Sequence, residues 1–142
     1  MADPRDAVSF DGIGEQRETY LIDDSTITYD ATKANGSAQV GLAVTLSAAK
    51  TVALTADGNG VLGKLIKVTP DKKAVVATKG YLKFPGGNGA SLTRMKAVVG
   101  ALGPASARCY VREVATATAA ELGVCDGKII DASDTANVIV LF

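Results

Sequence analysis

Short runs of alternating apolar and polar residues, cut by turn signals at roughly ten-residue intervals, dominate this sequence and constrain its fold most. Leu42, Val44 and Leu46 alternate with Ala43, Thr45 and Ser47. An Ala-Ala-Lys turn leads into Thr51–Leu54, and Asp57-Gly58-Asn59-Gly60 separates that run from Val61–Val68. Thr69-Pro70-Asp71-Lys72-Lys73 is a further turn, with Pro70 placed to start it. Ala74–Thr78 and Tyr81–Phe84 flank Gly80, and Pro85-Gly86-Gly87-Asn88-Gly89 forms a loop. In Arg108–Val114, Cys109 and Val111 point one way while Arg108, Tyr110 and Arg112 point the other. Lys128–Ile130 and Asn137–Phe142 complete the set. Val138–Phe142 is apolar on both faces, which predicts a buried strand. The expected fold is all-β, a small β-barrel or sandwich with at most one or two short helices.

Two segments admit a helix. Leu92, Met95, Val98, Val99 and Leu102 have helical spacing, with Ser91 as an N-cap and Gly103-Pro104 as a stop. The same stretch also reads as a hairpin, Lys96–Leu102 against Arg108–Val114, and the strand-like second arm favours the hairpin. Thr116–Leu122 reads as one short helix, capped by Thr118 with Glu121 three residues on and stopped by Gly123.

Charge divides the chain. Residues 1–38 hold eight acids and three bases, a balance of −5, and residues 39–142 hold seven acids and twelve bases, a balance of +5. The first 38 residues therefore read as an acidic, extended N-terminal arm, and 39–142 as a β-rich body. The arm has few large apolar residues outside Phe10 and two patches, Tyr20-Leu21-Ile22 and Thr26-Ile27-Thr28-Tyr29. Parted by Asp23-Asp24-Ser25, these patches read as strands that order on a partner's edge.

Composition excludes more than it assigns. Without His, neither Ser-His-Asp nor Cys-His catalysis nor a His-containing zinc site can be built. Net charge is zero and aromatics are 5%, which argues against a nucleic-acid partner. No apolar run is long enough to span a bilayer as a helix, and the first sixteen residues lack a hydrophobic signal core. The expectation is a chain made in the cytoplasm, with no membrane partner. Cys109 and Cys125 lack CxxC spacing and read as buried thiols. Several motifs fail in context. Gly58-Asn59-Gly60-Val61-Leu62-Gly63 fits GxGxxG but runs into a strand pattern rather than a helix. Asp57-Gly58-Asn59 opens like a calcium loop without its closing glutamate. Ser47-Ala48-Ala49-Lys50 fits SxxK without the partner motifs. Arg94-Met95-Lys96-Ala97 could display Lys96 for biotin or lipoate, but lacks the usual neighbours. The expectation is no catalytic residue, no cofactor and no metal.

The order of Gly41–Val44, Thr51–Leu54, Val61–Leu65, Ala74–Ala77, Gly80–Phe84, Val99–Leu102 and Val138–Leu141 resembles the capsid decoration, or cement, proteins of tailed bacteriophages. The resemblance covers most of residues 39–142 and implies a β-tulip-like fold and a non-enzymatic role. It implies a protein on the capsid exterior of the virion that stabilises the major capsid protein lattice. It also implies homotrimers at three-fold and quasi-three-fold sites, with the arm lying across the major capsid protein. The length and separate acidic arm depart from the compact lambda-type form. Two other classes stay open: an appendage module that binds a host surface, and a carrier or ligand-binding β-domain.

Overall fold

The computed structural model describes residues 13–87, 91–103, 110–115 and 117–142. The protein is all-β. Strands β1 (Gln16–Ile22), β2 (Ala43–Ala48), β3 (Thr51–Leu54), β4 (Gly63–Val68) and β5 (Lys73–Lys79) close into a five-stranded barrel in the order β1-β3-β2-β4-β5. Its wall alternates as a barrel must: Val44, Val52, Leu65, Val68, Ala74 and Val76 are buried in one cluster. Two tight connections build the antiparallel part, a turn at 49–50 between β2 and β3 and the Pro70 turn between β4 and β5.

The remaining strands wrap a second core. They are β6 (Tyr81–Phe84), β7 (Val98–Ala101), β8 (Tyr110–Glu113), β9 (Lys128–Asp131) and β10 (Val138–Leu141), with the one-turn helix α1 (Ala119–Leu122) before β9. β6, β10 and β9 form a three-stranded sheet, and β7 and β8 form a ribbon. Backbone bonds join the two on both sides. The Met95 amide donates to the Ile129 carbonyl at 2.8 Å and the Ile129 amide to the Lys96 carbonyl at 2.9 Å. At the other side the Val111 amide donates to the Pro85 carbonyl at 3.0 Å and the Gly87 amide to the Val111 carbonyl at 2.8 Å. Pairing thus runs around a core of Leu82, Phe84, Val98, Val111, Ile129, Val138 and Val140, into which the barrel contributes Ala43, Val61 and Ala77. Phe84 and Phe142 meet edge to face at 5.8 Å.

Several expectations are met here. Ser91–Leu102 is not a helix; β7 pairs antiparallel with β8 from Val98↔Glu113 to Ala101↔Tyr110. β10 is buried on both faces, and Gly63, the last glycine of the GxGxxG match, opens strand β4. The hairpin's Pro104–Ser106 turn, Arg108, Cys109, Asn88, Gly89, Thr116 and Phe10 lie outside the described residues.

The arm requires correction. The boundary at residue 38 is not a boundary in the fold. β1 pairs antiparallel with β5 from Gln16↔Lys79 to Leu21↔Lys73, and parallel with β3 at Leu21↔Thr51 and Ile22↔Val52. Ile27 is fully buried in the barrel core. Net charge and sparse apolar content misled the sequence reading, because a barrel strand needs only one inward face. Tyr20 and Ile22 supply that face, and Ile27 fills the interior.

Candidate interaction surface

Among the described residues, β1 is only half paired on the side facing β3. β3 begins at Thr51, opposite Leu21, because the chain turns at 49–50. The Leu21 amide donates to the Lys50 carbonyl at 2.8 Å, and the Ile22 amide points the other way, to the Lys72 carbonyl at 3.3 Å. Alternation then turns the backbone groups of Thr19 and Arg17 away from β5, past the end of the β2–β3 turn. Beside this edge lies a groove of about 360 Å³ lined by Thr19, Tyr20, Leu21, Lys50 and Lys73. Leu21 is 49% exposed. Lys73 pairs with Asp71 at 3.4 Å, while Lys50 makes no ion pair among the described residues.

The seven residues expected to contact a partner divide by environment. Leu21, Thr28 and Tyr29 are exposed, whereas Tyr20, Ile22 and Thr26 are half-buried and Ile27 is buried. The Tyr20 hydroxyl donates to the Glu18 carboxylate, and that bond, with partial burial, raises its pKa. The Thr26 hydroxyl oxygen accepts the Leu54 amide at 3.1 Å, a bond from this segment to the barrel wall. Tyr20–Ile22 therefore lie on barrel strand β1 and Ile27 in the barrel core, and three of the seven face outward. Thr19, Lys50 and Lys73 escaped the sequence reading. The Ala-Ala-Lys turn, where Lys50 has φ of 59°, was legible in the sequence, but not the strand it meets, which lies some thirty residues before it.

A second cluster joins the two halves. Arg112 on β8 makes a two-pronged pair with Glu121 on α1 and donates through Nε to Asp57 Oδ1 at 3.1 Å. Glu121 Oε2 also accepts the Ala115 amide at 2.9 Å. The Arg112 guanidinium, then this amide, hold the Glu121 carboxyl below its usual range, and Glu121 in turn raises Arg112. Glu121 is thus not the capping-box residue expected of it, and Thr118, though at the N-cap, makes no side-chain capping bond. Asp57 of the calcium-loop match accepts this bond from Arg112.

The other motif residues are also placed. Ser47 lies on β2 and Lys50 in the turn that follows it. Lys96 precedes β7, its amide bonded to the Thr93 carbonyl at 3.2 Å and its carbonyl to Ile129, so it does not sit at a free hairpin tip. Cys125 is half-buried with a free thiol, 3.4 Å from the Leu122 carbonyl. Comparison of the chain with family models, with curated proteins and with solved structures finds no match.

Proposed function

We propose that this chain is a structural decoration protein that binds the outer surface of a phage head and stabilises the major capsid protein lattice. In this reading it acts without catalysis, as trimers at three-fold and quasi-three-fold positions. One observation carries it: large apolar side chains stand exposed at separate places on a body built around two packed cores. Ile13, Leu21, Tyr29 and Leu46 are exposed on the barrel half, and Met95, Leu102, Leu122 and Val124 on the other. A body that must touch several neighbours at once needs such separated contacts, each weak and jointly strong. The strand-and-glycine pattern of residues 39–142 supplies the choice of a phage shell over other lattices.

The test compares heads with and without the protein during heating and chelation, and images the decorated ones. Density at three-fold sites together with higher resistance to rupture is the expected result. Protein confined to the tail vertex, or unchanged head survival, overturns the reading and favours a host-binding appendage.

A further inference from the structure

We infer that Asn59 is a self-modifying site: in the native protein its side-chain amide is lost to attack by the Gly60 backbone nitrogen, which leaves aspartate or isoaspartate beside the turn that joins the two cores.

Such a reaction favours asparagine followed by glycine, because a residue without a side chain lets its nitrogen approach Cγ freely. The chain holds three such pairs, Asn35-Gly36, Asn59-Gly60 and Asn88-Gly89, and the last lies outside the described residues. Asn35 and Asn59 are both exposed, so access of water does not separate them. Their backbones do. The Gly36 amide donates to the Lys33 carbonyl at 3.1 Å, and the Gly36 carbonyl accepts the Asp30 amide at 2.8 Å. A Cβ on Gly36 would stand 2.0 Å from the Val68 carbonyl oxygen, so this glycine is wedged against the barrel. Its nitrogen can attack only after a backbone bond breaks in a packed turn. Among the described residues, neither the Gly60 amide nor the Asn59 side chain makes a hydrogen bond.

The peptide group between Asn59 and Gly60 is also activated. The Gly100 amide donates to the Asn59 carbonyl at 2.8 Å. When the Gly60 nitrogen loses its proton, negative charge moves onto that same carbonyl oxygen. A fixed N–H aimed at it stabilises the charged form, as backbone donors stabilise an oxyanion. The two Asp-Gly pairs nearby lack this arrangement. The Gly58 amide is engaged by the Gly100 carbonyl at 2.9 Å, and the Gly127 amide by Asp126 Oδ1 at 2.7 Å.

The chemistry needs only water. A bond forms between the Gly60 nitrogen and Asn59 Cγ, the Cγ–Nδ2 bond breaks, and ammonia leaves. The proton from the Gly60 nitrogen ends on that ammonia by way of solvent. Water then opens the five-membered imide. Cleavage at Cγ gives aspartate, and cleavage at the former Asn59 carbonyl gives isoaspartate, whose main chain runs through the side chain. Either product adds a negative charge two residues from Asp57, which accepts Arg112 Nε. Isoaspartate also inserts a methylene before Gly60 and turns the acceptor of the Gly100 amide into a free carboxylate. Room there is small: a Cβ on Gly60 would stand 2.9 Å from the Val124 carbonyl oxygen and 3.3 Å from Val124 Cβ. Isoaspartate therefore loosens the joint between the halves, whereas aspartate keeps its backbone.

The test incubates the native full-length protein in warm, mildly alkaline buffer and follows Asn35 and Asn59 by peptide mass spectrometry. Asn59 should convert about fivefold faster than Asn35 or more, since one backbone hydrogen bond guards Gly36. In urea that guard is lost and the two rates should converge. Isoaspartyl methyltransferase with S-adenosylmethionine should label the aged peptide containing residue 59, and not that of Asn59→Gln. The separated isoaspartyl form should unfold at lower urea than Asn59→Asp. An Asn59 that stays intact, equal native rates at the two sites, or the same preference in urea as in the native protein overturns the inference. An isoaspartyl form as stable as Asn59→Asp overturns its effect on the joint.

Discussion

Glu121 accepts bonds from both prongs of Arg112 and from the Ala115 amide, and it is only 12% exposed, against 21% for Arg112. Charge-assisted, two-pronged bonds at a partly covered site outweigh an open surface pair. Asp57, at 51% exposure, adds less. Glu121→Gln keeps the shape and removes the charge, and should cost about 1 kcal/mol at neutral pH, allowing for solvent screening. The pH dependence follows from the depressed carboxyl. A group whose folded pKa lies below its unfolded value of about 4.3 stabilises the fold above that value and loses the contribution as pH falls through the folded pKa. The difference between wild type and Glu121→Gln should therefore be full at pH 7 and shrink as acid protonates Glu121. Urea unfolding of both proteins at neutral and acid pH measures it. An equal difference at both would show that the charge contributes nothing.

At the scale of elements, strands were legible wherever they carried their own alternation. β3, β5, β6, β8 and β10 fall within a residue or two of the runs that predicted them. The favoured hairpin at β7–β8 formed, and its Gly100 lets the barrel half approach it closely. A Cβ there would stand 2.2 Å from Thr55 Cγ2 and 2.3 Å from the Ala56 carbonyl oxygen, and the Gly58 amide bonds the Gly100 carbonyl at 2.9 Å. β1 was not legible as part of the body, because its inward face is only Tyr20 and Ile22 and its partners lie some thirty and fifty residues on. The β1 edge groove was invisible for the same reason: it is made where a distant turn ends. Ile27 tests the corrected assignment. Ile27→Ala should cost about 3 kcal/mol, since it empties a fully buried site in the barrel core. In a segment lying outside the body, the same change would stay within about 0.5 kcal/mol. A denaturant melt of the free protein distinguishes the two.

Across the whole molecule, two cores share walls rather than sitting side by side. Ala43 and Ala77 belong to barrel strands yet pack with Leu82, Phe84 and Val138, and Leu54 packs against both clusters. The bonds from the Gly58 amide to the Gly100 carbonyl and from the Gly100 amide to the Asn59 carbonyl, with the Arg112–Glu121–Asp57 cluster, cross the same boundary, and the Gly80 amide and carbonyl both bond Phe142. Interiors this closely joined do not open one at a time, because exposing either core strips the shared residues of half their packing. The expected behaviour is one cooperative transition. Ile27→Ala in the barrel core and Val140→Ala in the second core, the latter costing about 2 kcal/mol, should each move the same transition without changing its steepness. Far-ultraviolet dichroism and tyrosine fluorescence should report coincident midpoints, since Tyr20 and Tyr29 lie in the barrel half and Tyr81 and Tyr110 in the other. Two separated transitions, with Ile27→Ala moving one and Val140→Ala the other, would show that the halves are independent units. A cooperative body matters for the contacts proposed above. Exposed apolar groups on both halves can engage neighbours together only if the halves hold a fixed geometry, since joint binding is lost when the spacing of the sites is free to vary.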